Sequence, residues 1–224
     1  MKGITPEIKA LSLQEALRAI TGDRLLIYPT ETFYAIGGNA LSAGVLSSVY
    51  EAKGRDGSRP LPLLIGDLEQ LRLVAAGVEE EEGELMRLFW PGPLTLLLRA
   101  SPGLPAPLAG GAARVAVRLS GHPTARELSR RAGLPLISSS ANRSGFPPAS
   151  SPEEVDRSLL RAAGGALCLE GPAPAGGLPS TIVRLEGRGS RVLRLLRAGA
   201  VSAAQLRRHG FKVISEGGGA VSGP

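Results

Sequence analysis

Two loops gather the residues best suited to meet an anionic ligand. In Pro29-Thr30-Glu31-Thr32, two hydroxyls flank a carboxylate directly after Leu25-Leu26-Ile27-Tyr28, an apolar run that reads as a strand. Ser138-Ser139-Ser140-Ala141-Asn142-Arg143-Ser144-Gly145 repeats the arrangement behind Pro135-Leu136-Ile137. Polar groups at the C-terminal ends of strands line the crevice of an open α/β sheet. Taken singly, each loop reads equally well as a turn, with Pro29 ending its strand and the hydroxyls bonding to the local main chain. Taken together they suggest one polar pocket. The hydroxyls, the Asn142 amide and the N–H groups near Gly145 suit a phosphate or an adenine edge.

Cations stand where such a pocket would need them. Lys53-Gly54-Arg55 and Arg59-Pro60 put three positive charges ahead of the apolar run Leu61 to Ile65, and Lys53 is one of only four lysines against 22 arginines. Arginine forks grip phosphate or carboxylate in bidentate fashion, whereas a lysine is a compact charge that can approach a developing negative centre. A solvated loop is the plain alternative for this cluster. Arg114 and Arg118 lie four apart in Arg114-Val115-Ala116-Val117-Arg118, a spacing that puts both on one face of a strand. Two arginines on one face of an apolar strand call for anionic partners. Pro179-Ser180-Thr181 opens a further strand and Arg197 closes another, which adds a hydroxyl pair and a cation at strand ends.

Other chemistries are poorly supplied. Cys168 is the only cysteine, so there is no internal disulfide and no cysteine-based zinc site. The two histidines, His122 and His209, are far apart, and His122 precedes Pro123 as a turn or capping residue would. No P-loop and no G-x-G-x-x-G opens a helix, so a nucleotide site must be unconventional. No dedicated metal site is expected. The formal charge of +6, which coexists with the acidic run Glu79 to Glu84, favours phosphorylated or polyanionic partners. The acidic run itself reads as a solvated helix face. No apolar run approaches the ~18 residues of a membrane span, and Met1 to Leu11 lacks the apolar core of a signal peptide, so a cytoplasmic protein without membrane association is expected.

The elements that must position these groups follow from periodicity and caps. Helices are predicted at Ser12–Ile20, Leu41–Ala52, Asp67–Ala76, Glu79–Phe89, Pro123–Ala132, Pro152–Ala162 and Ser202–Arg208. Strands are predicted at Arg24–Tyr28, Leu61–Ile65, Leu94–Arg99, Arg114–Leu119, Leu136–Ser138, Ala166–Leu169, Thr181–Leu185 and Val192–Leu196. Ser101 to Gly111 reads as a long Pro/Gly-rich loop. Helices and strands alternate only in part and the last strands adjoin, so the fold class is α/β with a twisted, mixed open sheet flanked by helices. A single domain over residues 1–214 is expected, with residues 215–224 as a flexible Gly-rich tail.

Seven ordered blocks carry a family resemblance. They are Tyr28 to Gly37 (Tyr-Pro-Thr-Glu-Thr-Phe-Tyr-Ala-Ile-Gly), Lys53-Gly54-Arg55, Trp90-Pro91-Gly92-Pro93-Leu94-Thr95, Val115-Ala116-Val117-Arg118, Ser140 to Gly145, Pro179 to Val183 and Arg197-Ala198-Gly199. In these blocks the chain resembles the YrdC-like family, which includes the L-threonylcarbamoyladenylate synthases and the YciO-like proteins. The resemblance implies an ATP-dependent nucleotidyltransferase that combines L-threonine, bicarbonate and ATP, with Mg2+ entering alongside ATP, to give threonylcarbamoyl-AMP and pyrophosphate. That product would serve tRNA threonylcarbamoyladenosine formation, which makes tRNA or downstream tRNA-modification proteins partners. By the same resemblance, Thr32, Arg118 and Ser180 hold threonine, and Arg55, Arg59, Arg114, Ser138, Ser140, Asn142, Pro148 and Arg197 surround ATP. Lys53 and Arg55 are the implied catalytic cations, with Lys53 beside the phosphates and the carboxylating carbon. Leu64 stands where several synthases carry a histidine near threonine. Alternative readings are a tRNA- or double-stranded-RNA-binding YciO-like protein without this activity, and a carbamoyl-transfer relative. RNA modules stack bases on exposed aromatics, whereas Phe33, Tyr34, Phe89 and Trp90 sit in motifs expected to be packed.

Overall fold

A computed structural model of the chain describes residues 7–54, 60–109, 113–143 and 145–215. The N-terminal half runs β1 (Lys9–Leu11), α1 (Leu13–Thr21), β2 (Leu26–Pro29), β3 (Tyr34–Gly37), α2 (Ala43–Lys53), β4 (Leu63–Ile65), α3 (Leu71–Val74), α4 (Glu80–Phe89) and β5 (Leu94–Arg99). The chain continues through α5 (Ala106–Ala109), β6 (Arg114–Leu119), α6 (Pro123–Ala132), β7 (Leu136–Ile137), β8 (Ser139–Ser140) and α7 (Arg157–Ala162). It ends in β9 (Ala166–Cys168), β10 (Thr181–Leu185), β11 (Val192–Arg197), α8 (Ala203–Arg208) and β12 (Lys212–Ser215).

Local chemistry sets these bounds. The Ser12 side chain accepts from Glu15 N while Glu15 reaches back to the Ser12 N–H, and Gly22 closes the helix. Ser42 caps α2, and Gly54 ends it in the left-handed conformation that glycine adopts without a Cβ penalty. His122 and Pro123 start α6, so the capping role expected for His122 is realised.

The mixed pairing is divided over two sheets. One has the order β1-β9-β2-β3-β8, with β1, β9 and β2 parallel and β3 and β8 antiparallel to their neighbours. The other has the order β12-β11-β10-β5-β6-β4-β7 and mixes both pairings. The chain crosses between them at Ser138, where β7 of the larger sheet gives way to β8 of the smaller. The sheets nearly touch here. A Cβ on Gly37 would lie 1.7 Å from the Ile137 carbonyl oxygen, so only glycine fits. The Tyr28 hydroxyl donates to that same oxygen at 2.7 Å, and burial raises its pKa well above the ordinary tyrosine value.

Apolar residues close both sides of the larger sheet. Val115, Val117 and Leu119 of β6 join Leu94, Leu96 and Leu98 of β5 in the main cluster, which leaves Arg114, Ala116 and Arg118 on the other face. A second cluster packs Ala16 and Ile20 of α1 and Ala125 and Leu128 of α6 against Leu26, Tyr28 and Leu64. Leu64, the position compared with a histidine, is thus core. Cys168 is buried in β9, as its apolar neighbours suggest.

Several elements depart from the sequence reading. Strands β1, β3, β8 and β12 were not separable from turns by periodicity, being short and, in β3, buried at every position. The helix expected over Pro152–Ala162 is broken, because Asp156 caps a new helix by accepting from Ser158 N and Leu159 N. Asp67 similarly caps only a short turn before the single turn of α3. The Ser101–Gly111 loop contains α5, whose Leu108 is buried. Ser215 ends β12, and the rest of the expected tail lies outside the described residues. Among the described residues no helix is long and apolar enough to cross a membrane.

Candidate functional site

The cleft between the two sheets holds a cavity of about 260 Å³. From the smaller sheet and its loops come Thr30, Thr32, Phe33, Tyr34, Ala35, Ser139, Ser140, Asn142 and Pro148. The larger sheet side supplies Pro62, Arg118, Pro179, Ser180 and Arg197, with Ser138 at the crossing. The volume is slightly below the ~300–1,000 Å³ common for small-molecule sites.

The first hydroxyl loop is both a turn and a wall. Thr30 Oγ1 donates to the Phe33 carbonyl at 2.7 Å and receives the Phe33 N–H at 3.3 Å, and Thr30 and Thr32 share a hydroxyl contact of 3.3 Å. Glu31 between them turns away from the cavity. It forms an ion pair with Arg118 Nη1, and its other oxygen accepts the Ser120 hydroxyl. Arg118 is 6% exposed and the Glu31 side chain 16%, so the pair is largely withdrawn from water and each charge needs the other. Arg118 Nη2 reaches the Ser138 hydroxyl at 3.4 Å, a long contact.

The second hydroxyl loop is gripped from behind by Lys53. This buried lysine donates from Nζ to the Ser140 and Asn142 carbonyls, each at 2.5 Å. Asn142 donates from Nδ2 to the Arg143 carbonyl at 3.0 Å, while its buried Oδ1 has no hydrogen-bond partner among the described residues.

On the far wall, β10 and β11 clasp each other. Arg197 donates from Nε and Nη2 to the Ser180 carbonyl at 2.9 and 2.8 Å, and from Nη2 to the Ser180 hydroxyl at 2.7 Å. That hydroxyl also contacts Thr95 Oγ1 at 2.9 Å. A Cβ on Gly199 would lie 2.2 Å from the Pro179 carbonyl oxygen, so the clasp requires glycine after Arg197 and Ala198.

The connection from β9 to β10 is strapped beside the first loop. Gly176 N donates to the Thr32 carbonyl at 2.8 Å, and Thr124 Oγ1 donates to the Glu170 carbonyl at 2.7 Å. His122 Nε2 donates to the Pro172 carbonyl at 2.8 Å while its Nδ1 accepts the Thr124 N–H at 3.2 Å, which assigns the neutral Nε2–H tautomer. Burial lowers the His122 pKa, against smaller upward pulls from the Pro172 carbonyl and the Glu31 charge.

Of the residues singled out from the sequence, Thr32, Arg118, Ser138, Ser140, Asn142, Pro148, Ser180 and Arg197 converge on this cavity, with Lys53 directly behind it. Arg55 and Arg59 lie outside the described residues. Arg114, placed with ATP by the resemblance, lines a separate recess with Glu79, Glu82, Arg99 and Arg188. The reason is length: four residues of strand carry it ~13 Å from Arg118 along the same face. Glu82, read as part of a solvated face, is in fact buried; burial raises its pKa, partly offset by the Glu79 N–H it accepts. Glu31 received no task from the sequence; the available signal was that Arg118, on an apolar strand, called for an anionic partner, and the carboxylate that supplies it is defined only by the fold.

The class this defines is a mixed two-sheet α/β fold whose intersheet cleft is lined by hydroxyls and arginines. The family model Sua5/YciO/YrdC, described as "Telomere recombination", matches residues 18–199, and the chain belongs to this family. It is 33% identical over 195 residues to the threonylcarbamoyl-AMP synthase of Bacillus subtilis (strain 168), which covers 87% of this chain and 55% of the relative. To the threonylcarbamoyl-AMP synthase of Pyrococcus abyssi it is 38% identical over 152 residues, 68% of this chain and 45% of the relative. The crystal structure of P. abyssi Sua5 complexed with L-threonine superposes with a TM-score of 0.78 at 30% identity, covering 95% of this chain and 63% of that one. The chain thus spans about half the length of these curated relatives.

Proposed function

We propose that the chain is an L-threonylcarbamoyladenylate synthase. The observation that supports this most directly is the convergence of Thr32, Arg118, Ser138, Ser140, Asn142, Pro148, Ser180 and Arg197, from both sheets, on one cleft. A structure that superposes on this chain carries L-threonine, and the reaction named for the relatives matches the anion-rich substrates such a cleft suits.

In this reading the threonine amine takes up bicarbonate as a carbamate with loss of water. A carbamate oxygen then attacks the α-phosphorus of ATP, the bond to the β-phosphate breaks, and pyrophosphate leaves. Thr32, Arg118 and Ser180 hold the amino acid. Ser138, Ser140, Asn142, Pro148 and Arg197 surround the nucleotide, which enters as its magnesium complex. Lys53 fixes the carbonyls of Ser140 and Asn142, so its charge lies beneath the loop assigned to the phosphates. The family resemblance assigns Arg55 and Arg59 to the nucleotide as well, with Arg55 as a second catalytic cation. Catalysis is then positioning and charge neutralisation, with no acid–base dyad required. The product supplies tRNA modification, and the protein works in the cytoplasm. Burial of Phe33, Tyr34 and Trp90 argues against base stacking on these rings, and so against the RNA-binding alternative.

The test is pyrophosphate release from ATP and bicarbonate with threonine, with serine or with no amino acid. Threonine-dependent release is expected. Release that ignores the amino acid, or none at all, would overturn the assignment.

A further inference from the structure

We propose that Glu31 is a positioning residue that aims Arg118 at the carboxylate of the amino-acid substrate; this rests on the synthase reading above. Arg118 lines the cavity and Glu31 does not, so the carboxylate holds the guanidinium from the side away from the ligand. The pair engages Nη1 and leaves Nη2 facing the cavity wall, where its only described contact is the 3.4 Å approach to Ser138 Oγ. An incoming carboxylate can replace so long a contact with a charge-assisted bond.

Glu31 is itself fixed. Ser120 donates to its second oxygen, and the same Ser120 Oγ receives the His122 N–H at 3.2 Å. The Glu31 carbonyl accepts the Ala175 N–H at 3.4 Å and the next carbonyl accepts Gly176 N at 2.8 Å, so the main chain on both sides of its peptide is tied to the strap. The Ser120 hydroxyl satisfies a carboxylate oxygen that burial would otherwise leave unpaired, and it also fixes the direction from which Glu31 meets Arg118.

The two substrates should respond differently to changes at Glu31. Arg118 is assigned to the amino acid and not to ATP, so loosening it should weaken threonine alone. In pyrophosphate-release assays, Glu31→Gln should raise the KM for threonine by about tenfold or more, with kcat and the KM for ATP within about twofold of the parent chain. Glu31→Asp, which keeps the charge, should recover most of that loss. Ser120→Ala removes only the hold on the second oxygen and should give a smaller rise, about threefold, again for threonine only; it also serves if Glu31→Gln does not fold. Calorimetric titration of threonine into the parent chain and into each variant, without ATP, gives a second readout. If the parent binds threonine but releases no pyrophosphate, the synthase reading fails while the titrations still decide the role of Glu31. Unchanged threonine affinity in both Glu31→Gln and Ser120→Ala, or equal losses for threonine and ATP, would overturn the proposal.

Discussion

At one end of β6, Arg118 is buried, paired with Glu31 and turned to a cavity walled by serines and threonines. At the other end, Arg114 sits across from Arg99 on β5 in a recess of about 130 Å³, near a glutamate that is also buried. Both arginines occupy one face of one strand. The difference lies in what holds the carboxylate. Glu31 has both oxygens committed to side chains of β6 and its following turn, whereas Glu82 serves the helix start by accepting the Glu79 N–H at 2.9 Å. Arg114 reaches a main-chain oxygen, Leu97 O, at 3.4 Å. One end therefore presents a paired guanidinium to the cavity, and at the other the nearby carboxylate serves the first turn of α4. Identical residue types at regular spacing fix a face, and their partners decide its use.

The largest effects are expected at the cavity end. Lys53→Met keeps the apolar stem and removes the charge, and should lower pyrophosphate release by about 10²–10³-fold, the scale for deleting one preorganised donor. Activity near that of the parent chain would show that the cation behind the second loop does no chemistry. Arg118→Met should lower unfolding free energy by about 3–5 kcal/mol in denaturant titration, because Glu31, whose side chain is only 16% exposed, is then left without its partner. Arg114→Met should cost less than about 1 kcal/mol and leave pyrophosphate release within about twofold. Equal losses at the two positions would erase the distinction between the ends.

Two smaller effects depend on pH. His122 has a folded-state pKa below its ordinary value, so between that pKa and ~6.5 the native chain binds fewer protons than the unfolded one. Stability should accordingly fall as pH drops below ~6.5, by at most about 1.4 kcal/mol per unit, and be insensitive to this group above it. His122→Asn, which can still cap α6, should flatten that acid-side slope; an unchanged slope would remove His122 as its source. Glu82 has the opposite sign. Its raised pKa means that the native chain holds a proton more tightly, so its unfavourable contribution is present at neutral pH and disappears as pH falls into the ordinary carboxylate range. Glu82→Gln can still accept the Glu79 N–H and should be slightly more stable at pH 7, by less than about 1 kcal/mol, with the gain vanishing in acid.

Much of this was legible in the residues. β5, β6, β10 and α6 match their expected bounds because apolar runs, alternation and caps agree there. The cavity lining was legible because hydroxyls placed after apolar runs have few structural uses. What escaped depends on contacts distant in sequence. β3 is buried at all four positions and shows no alternation, so only its pairing with β2 and β8 defines it. The break at Asp156 pits a side-chain cap against helix continuation, and no propensity sum settles that contest. The splitting of Arg114 from Arg118 is a matter of distance along a strand, to which face periodicity is blind.

The clasp between Arg197 and Ser180 has a temporal side. The cavity draws on residues from Thr30 to Arg197, and its far wall closes only when Arg197 reaches the Ser180 carbonyl. During synthesis, the first hydroxyl loop must wait on the ribosome for a partner that is made late. Such long-range closure is slow compared with helix formation. The emerging chain therefore spends most of its translation without a finished pocket, whose far wall can form only once β11 is available to pair with β10.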